Sequence, residues 1–144
     1  MTNLGLAAGT GSFLLCLFAG CTSSETGPSD CSAVQDFTSQ VVICNHAGSF
    51  SYGYQALAST KSDSWPWKNP GTMVHVAFGG HIASGTVTIK IQDASGRDVY
   101  DESWTRMGQV GSAAGSLAGT AGMWTILLEL HSVGGQVGFV ITTA

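Results

Sequence analysis

The side chains that could do chemistry are few and scattered along this chain. Its histidines are His46, His75, His81 and His131. Imidazole is the commonest metal ligand, but none of the four stands close enough in sequence to another for both to reach one ion from the same strand or helix. His75 and His131 alternate with apolar residues, so we expect them to face solvent on strands and we predict no metal site.

Acidic residues gather around one predicted turn. They are Asp93, Asp98, Asp101 and Glu102. Carboxylate oxygens suit Ca²⁺, although the spacing of an EF-hand loop is absent. Aspartate is also a preferred turn residue, and Arg97 supplies a local countercharge. We therefore expect a solvated turn, and a calcium site is the alternative.

Catalytic signatures are missing from the sequence. The pairs Gly111-Ser112 and Gly115-Ser116 lack the strand-to-helix frame of a serine hydrolase elbow. No phosphate-binding or dinucleotide-binding glycine motif opens a helix. The sequence predicts no catalytic residue, no cofactor and no enzyme activity.

The charge balance argues against a nucleic-acid partner. The chain has 9 acidic residues against 5 basic ones and a net charge of −4. The basic residues are dispersed, so they form no stripe that could neutralise phosphates.

Aromatic residues offer the clearest binding chemistry. The candidates are Tyr52, Tyr54, Trp65, Trp67 and Trp104. Their rings combine apolar faces with polar edges, which suits stacking on sugar rings or on a protein partner. Packing in the core is the competing interpretation. The prolines beside Trp65 and Trp67 favour an exposed binding ridge there, and Trp104 is the third predicted ligand-binding residue.

The first 20 residues are typical of an export signal. They carry no charged side chain, and residues 13–19 form a short apolar run. Residues 17–21, Leu-Phe-Ala-Gly-Cys, resemble a bacterial lipobox, in which a peptidase cleaves before a cysteine modified with diacylglycerol. The resemblance implies lipidation of Cys21. Simple cleavage or a retained anchor are the alternatives, although glycines interrupt the run before it reaches the ~20 apolar residues of a membrane span.

Residues 22–30 are polar and turn-rich, as expected of a flexible tether that joins Cys21 to a folded domain. By resemblance to enterobacterial lipoproteins, Thr22 implies the outer membrane. The expected partners are the membrane, through the lipid anchor, and an envelope protein or a polysaccharide.

Two cysteines remain for the folded part. Cys16 leaves with the signal peptide and Cys21 takes the lipid, so Cys31 and Cys44 stand as a pair in an oxidising compartment. A disulfide between them would close a loop of about 14 residues and contribute about 3 kcal/mol. Free buried thiols are the alternative.

Residues 31–144 show the period-two alternation of β-strands. We expect strands at residues 49–57, 73–78, 86–92, 97–105, 123–131 and 137–141. Residues 93–96 and 132–135 are expected to be the turns of two hairpins. Residues 64–70 contain two prolines and predict an edge strand or a loop. Residues 108–122 are glycine-rich and predict a long mobile loop, and residues 31–42 fit either a helix or a strand.

The strand count predicts the architecture. About seven or eight strands at turn spacings of roughly ten residues favour a single antiparallel β-sandwich, all-β and jelly-roll-like. Its core is expected to be centred on the apolar residues of the last hairpin, which are Trp124, Ile126, Leu128, Leu130, Val137, Phe139 and Ile141.

Residues 85–93 with Gly96, and residues 122–126 with residues 135–139, resemble the hairpins of bacterial pre-peptidase C-terminal domains. These are small secreted accessory domains with a jelly-roll-like fold. The resemblance implies a sandwich and transfers no catalytic residue. We therefore expect a non-enzymatic cell-envelope lipoprotein with a binding or structural role. Carbohydrate binding through exposed aromatics is the alternative.

Overall fold

The computed structural model describes residues 31–35, 39–105 and 108–144, and every regular element within them is a β-strand. The strands are β1 (Cys31–Gln35), β2 (Ser39–His46), β3 (Ser49–Asn69), β4 (Val74–Gln92), β5 (Asp98–Thr105), β6 (Gly108–Gly115) and β7 (Gly122–Thr143). The predicted all-β fold is confirmed. The predicted export signal, Cys21 and the predicted tether lie outside the described residues. None of the described ranges contains a helix that could cross a membrane.

The strands form one antiparallel sheet in the order β1-β2-β3-β7-β4-β5, and β6 also pairs with β4. The three long strands β3, β4 and β7 shift register midway, at residues 57–61, 82–86 and 130–134. On one side of the shift lie residues 49–57, 74–82 and 133–143 with β1, β2 and β6; we call this part layer 1. On the other side lie residues 59–69, 86–92 and 122–131 with β5; we call this part layer 2.

The two layers pack face to face. Phe50 and Trp65 both belong to β3, yet their ring centroids are 5.4 Å apart because the strand bends between them. Phe78 of layer 1 also contacts Trp104 of layer 2, and their two rings are stacked. The single sheet therefore folds over into a β-sandwich, with the core between its halves. All seven apolar side chains predicted for the centre of the core are buried.

The bend depends on backbone conformations that favour glycine. Gly135 of β7 has a φ of +120°, and a Cβ added there would lie 2.1 Å from the carbonyl oxygen of His81 on β4. No side chain fits at such a distance, so close approach of the two strands requires glycine. Ala58 and Ser132 also have positive φ, 85° and 52°. Left-handed residues thus occur at the bend in both β3 and β7.

Two predicted elements are wrong. Residues 132–135 are not a hairpin turn, because β7 runs through them and pairs with β3 and β4 on both sides of the bend. Residues 108–115 are not a mobile loop, because they form β6 and pair with β4 from His75↔Gly115 to Ile82↔Gly108. Small residues show no alternation, but their backbone still supplies the hydrogen bonds of an edge strand.

Other predictions are confirmed. Residues 86–92 and β5 form the expected hairpin. Residues 64–69 lie on an edge strand, since within the described chain this part of β3 pairs only with β7. Cys31 and Cys44 are opposite each other on β1 and β2 and form the predicted disulfide. The segment that fitted either a helix or a strand is β1 and the start of β2 in its described part.

Candidate functional site

Of the two interpretations of the tryptophans, the structure supports packing in the core for Trp67 and Trp104. Trp67 is fully buried, and its Nε1 donates a hydrogen bond to the carbonyl oxygen of His46 at 2.8 Å. Trp104 is only 8% exposed. Trp65 and Trp67 lie opposite Ile126 and Trp124 of β7, which face the core, so both side chains point inward. The prolines mark the sheet edge, but they do not turn the rings outward.

Trp65 is the one of these three tryptophans that is only partly buried. Its ring centroid lies 5.4 Å from that of Phe50 and 5.4 Å from that of Tyr52. Tyr52 in turn stacks on Phe139 at 5.2 Å and on Tyr54 at 6.2 Å. Trp65 is therefore the outer end of an aromatic cluster that continues into the core.

Two charged residues lie on the same side of β3 as Trp65. Lys61 and Asp63 precede it at the period-two spacing that keeps side chains on one face of a strand. Lys61 Nζ is 2.8 Å from Asp63 Oδ2, and their side chains are 29% and 35% exposed. The ion pair sits at the open edge of the sandwich, beside the bend.

The Lys61 ammonium lies over two tyrosine rings. Its Nζ is 4.9 Å from the ring centroid of Tyr54 and 5.7 Å from that of Tyr52, within the range of a cation–π contact. We call Tyr52, Tyr54, Lys61, Asp63 and Trp65 the edge site. It combines aromatic faces, hydroxyls, a carboxylate and an ammonium.

The two tyrosine hydroxyls of the edge site are buried and have no hydrogen-bond partner among the described residues. Burial raises the pKa of Tyr52, and the charge of Asp63 and the neighbouring Tyr54 raise it further. The Tyr52 hydroxyl therefore stays protonated at neutral pH and can donate. A buried hydroxyl without a partner is unfavourable, so each of these groups favours a small polar partner such as a water molecule.

The rest of the edge is closed by contacts between the layers. Asn45 Nδ2 donates to the carbonyl oxygen of Pro66 at 3.0 Å, and Gly48 N donates to that of Lys68 at 2.9 Å. Val41 and Ile43 of β2 pack against the core from the same side. Among the described residues on the inward face of this part of β3, Lys61, Asp63 and Trp65 are the ones that remain partly exposed.

Sequence reasoning selected Trp65, Tyr52 and Tyr54 but missed Lys61 and Asp63. The signal was their alternation with Trp65 and Trp67 along residues 61–67. Charged residues are usually assigned to the solvent side of a strand, and an inward charge at an edge strand is the exception.

The acidic residues of the β4–β5 turn have a structural role. The Asp93 carboxylate accepts hydrogen bonds from Ser95 N at 2.9 Å, Ser95 Oγ at 2.6 Å, Arg97 N at 3.0 Å and Thr120 N at 2.9 Å. These bonds, the Ser95 hydroxyl first, lower the pKa of Asp93 despite its burial. Asp93 thereby joins the turn to residues 116–121.

A calcium site at this turn finds no support. Lys90 Nζ lies 3.2 Å from Asp101 and 3.5 Å from Asp98, so these carboxylates already have a cation. In the described ranges no group of three or more His, Cys, Asp or Glu side chains could hold a metal ion. His75 and His131 face solvent, as predicted.

A concave region lies on the outer face of layer 2, away from the edge site. It encloses about 390 Å³ and is lined by Thr88, Lys90, Gln92, Asp101, Leu127 and Glu129. Hydrogen bonding from Lys90 to Asp101 raises the pKa of this lysine. Gln92 Nε2 donates to Asp98 at 2.9 Å, and the hydroxyls of Thr88 and Ser103 are 2.8 Å apart. The polar groups of this cleft are largely satisfied by one another, and no aromatic ring lines it.

The chain is similar in fold to several solved structures. No family model and no curated protein matches the chain. TmCBM61 in complex with β-1,4-galactotriose is 17% identical with a TM-score of 0.43, over 72% of this chain and 68% of that one. The carbohydrate binding module CBM6cm-2 from Cellvibrio mixtus lichenase 5A, in complex with cellotriose, is 10% identical with a TM-score of 0.43, over 78% and 92%. The CBM22-1 xylan-binding domain from Paenibacillus barcinonensis Xyn10C is 12% identical with a TM-score of 0.43, over 83% and 90%.

A shared function does not follow at this degree of similarity. What this chain binds has to be argued from its own side chains, and the edge site is the place where the described residues combine binding chemistry with access to solvent.

Proposed function

We propose that this chain is a non-catalytic carbohydrate-binding domain and that the edge site is its binding site. The observation that carries the proposal is the partly buried Trp65 on the same strand face as the Lys61–Asp63 ion pair, whose ammonium lies over the rings of Tyr52 and Tyr54.

This combination matches the chemistry of a sugar. A pyranose ring has apolar C–H faces, which pack on an aromatic ring, and hydroxyls around its rim, which need donors and acceptors. Trp65 supplies the ring. Asp63 supplies carboxylate acceptors once the Lys61 ammonium moves aside.

The outer cleft of layer 2 is a weaker candidate. Its lysine is held by two aspartates, and its threonine hydroxyl is engaged with Ser103. A ligand there would have to replace internal hydrogen bonds without stacking on an aromatic ring, so the net gain would be small.

The test is a glycan array probed with the purified full chain, followed by calorimetry on the glycans that bind. Asp63→Asn keeps the size of the side chain and removes its charge, and Trp65→Ala removes the ring. We expect each change to weaken binding by about tenfold or more, the effect of losing a charged hydrogen bond or a stacking contact.

Met123→Ala is the matched control, because Met123 is exposed and lies outside the edge site. Circular dichroism checks that the variants fold, since Trp65 also packs on Phe50. An array without any bound glycan would refute the proposal, as would unchanged affinity in folded Trp65→Ala and Asp63→Asn.

We also propose that the domain is a lipoprotein of the bacterial outer membrane, anchored through Cys21. The support is the resemblance of residues 17–21 to a lipobox. Mass spectrometry of the membrane-extracted protein is expected to find a chain that begins at an acylated Cys21, and a Cys21→Ala variant is expected to lose the lipid. A chain that retains Met1 with unmodified Cys21 would contradict this proposal.

A further inference from the structure

The position of the Lys61 ammonium carries an inference about the charge of the ligand. The ammonium contacts the faces of Tyr52 and Tyr54 and the carboxylate of Asp63. Aromatic faces attract cations because the ring quadrupole is negative there. These three groups therefore favour a positive charge, and a lysine of the chain itself supplies it.

The Lys61 ammonium can move away from the two tyrosine rings. The Lys61 side chain is 29% exposed, at the edge of the sheet beside the bend. A lysine has a long flexible stem and a strongly hydrated head, so its ammonium can move into water by rotation about side-chain bonds alone. Once it has moved, the two tyrosine faces and the Asp63 carboxylate are left without a cation.

We propose that this position is a cation subsite that Lys61 fills from within the chain, and that the carbohydrate bound at the edge site carries a positively charged amino group that displaces the Lys61 ammonium. The carbohydrate part rests on the proposed function, whereas the cation subsite does not. The ligand class is an amino sugar with a free amine, in a chain whose stem packs on Trp65.

An acidic sugar fits this position less well. Its carboxylate would face Asp63 and the negative faces of two rings, all of which repel an anion. The net charge of −4 on the whole chain also favours the approach of a cation over that of an anion.

Lysine tethered to the site competes at a high effective concentration, so a free cation should bind the wild-type chain weakly. Lys61→Ala removes the competitor and opens the ring faces. Lys61→Met removes the charge but leaves an apolar stem over the rings. The two variants therefore separate an open subsite from a merely uncharged one.

The first probe is choline, compared with its uncharged carbon analogue 3,3-dimethyl-1-butanol, by calorimetry and by the indole N–H signal of Trp65 in nuclear magnetic resonance. We expect Lys61→Ala to bind choline at least tenfold more tightly than the wild type and Lys61→Met bind it. We also expect Lys61→Ala to bind choline at least tenfold more tightly than it binds the uncharged analogue. Adding Asp63→Asn to Lys61→Ala should abolish the gain. If folded Lys61→Ala binds the two probes equally, or binds neither, the cation subsite is refuted.

The second probe is a glucosamine oligosaccharide, compared with its N-acetylated form. We expect the free amine to bind the wild type more tightly than the acetylated form, and Lys61→Ala to increase the difference. If choline binds Lys61→Ala but no sugar binds any variant, the cation subsite stands and the proposed carbohydrate binding fails. If acetylated sugars bind and choline does not, carbohydrate binding stands and the cation subsite fails.

Discussion

The rings of Phe78 and Trp104 lie parallel in the interior of the sandwich, with an angle of 4° between their planes and 4.0 Å between their centroids. Phe78 lies on the layer 1 side of β4, and Trp104 pairs with Val87 on the layer 2 side of the same strand. The stacked pair therefore joins the two layers that the bend in β4 brings together.

Trp104→Ala should lower the free energy of unfolding by about 3–5 kcal/mol, because it removes a large buried ring and leaves a cavity. Urea denaturation measures this. In a double-mutant cycle with Phe78→Leu, we expect a coupling free energy of about 0.5–1.5 kcal/mol from the ring contact itself. Strict additivity of the two changes would show that the stacked geometry contributes nothing beyond burial.

Gly135→Ala should destabilise the fold by more than about 2 kcal/mol, because a left-handed backbone and a steric clash act together. The added Cβ would meet the carbonyl oxygen of His81 at 2.1 Å, so β4 and β7 would have to separate at the bend. Gly53→Ala is the control, since its nearest neighbour would be 4.0 Å away. Equal thermal stability of the two variants would contradict the close approach at Gly135.

The alternation of apolar residues was enough to predict the core and the strands that carry it, but not β6, whose small residues do not alternate. Val87, Ile89 and Ile91 alternate with polar residues and are buried as predicted. The bends were not predictable in this way. Two apolar segments separated by glycine produce the same pattern whether the chain turns back as a hairpin, as expected at residues 132–135, or continues as a bent strand. Only the pairing of β7 with both β3 and β4 distinguishes them.

The composition of the edge site depended on contacts that are distant in sequence. Period two places Lys61, Asp63 and Trp65 on one face of β3, but it does not say which face is buried. That is decided by β2, which extends layer 1 past this edge and places Asn45 against Pro66. The aromatic candidates could be predicted from residue type alone, whereas their partly buried ion pair required the tertiary fold.

Reduction of the disulfide between Cys31 and Cys44 should lower the free energy of unfolding by about 3 kcal/mol, because an open loop gains entropy in the unfolded chain. The sequence separation of the two cysteines is 13. Urea denaturation with and without a reductant measures the difference, and the Cys31→Ser/Cys44→Ser double variant should match the reduced protein and not respond to the reductant. If the reductant also lowered the stability of the double variant, the loss of stability in the wild type would have a cause other than this disulfide.

Asp93 should make stability depend on acid pH. Hydrogen bonds from Ser95, Arg97 and Thr120 lower the pKa of the folded carboxyl below its ordinary value of 3.8. The unfolded chain therefore binds the proton first as the pH falls. The stability that Asp93 contributes is complete above its ordinary pKa and is lost progressively below it.

The measurement is the free energy of unfolding in urea from about pH 7 to about pH 2, where the slope reports the difference in bound protons. Asp93→Asn should be less stable than the wild type at neutral pH, because an amide group replaces one of the accepting oxygens. The free energy of unfolding of this variant should also fall less between neutral and acid pH than that of the wild type. Glu129→Gln, a change at an exposed carboxylate, should keep the wild-type profile. If Asp93→Asn also kept the wild-type dependence of stability on pH, then protonation of Asp93 would not be what separates the turn from residues 116–121.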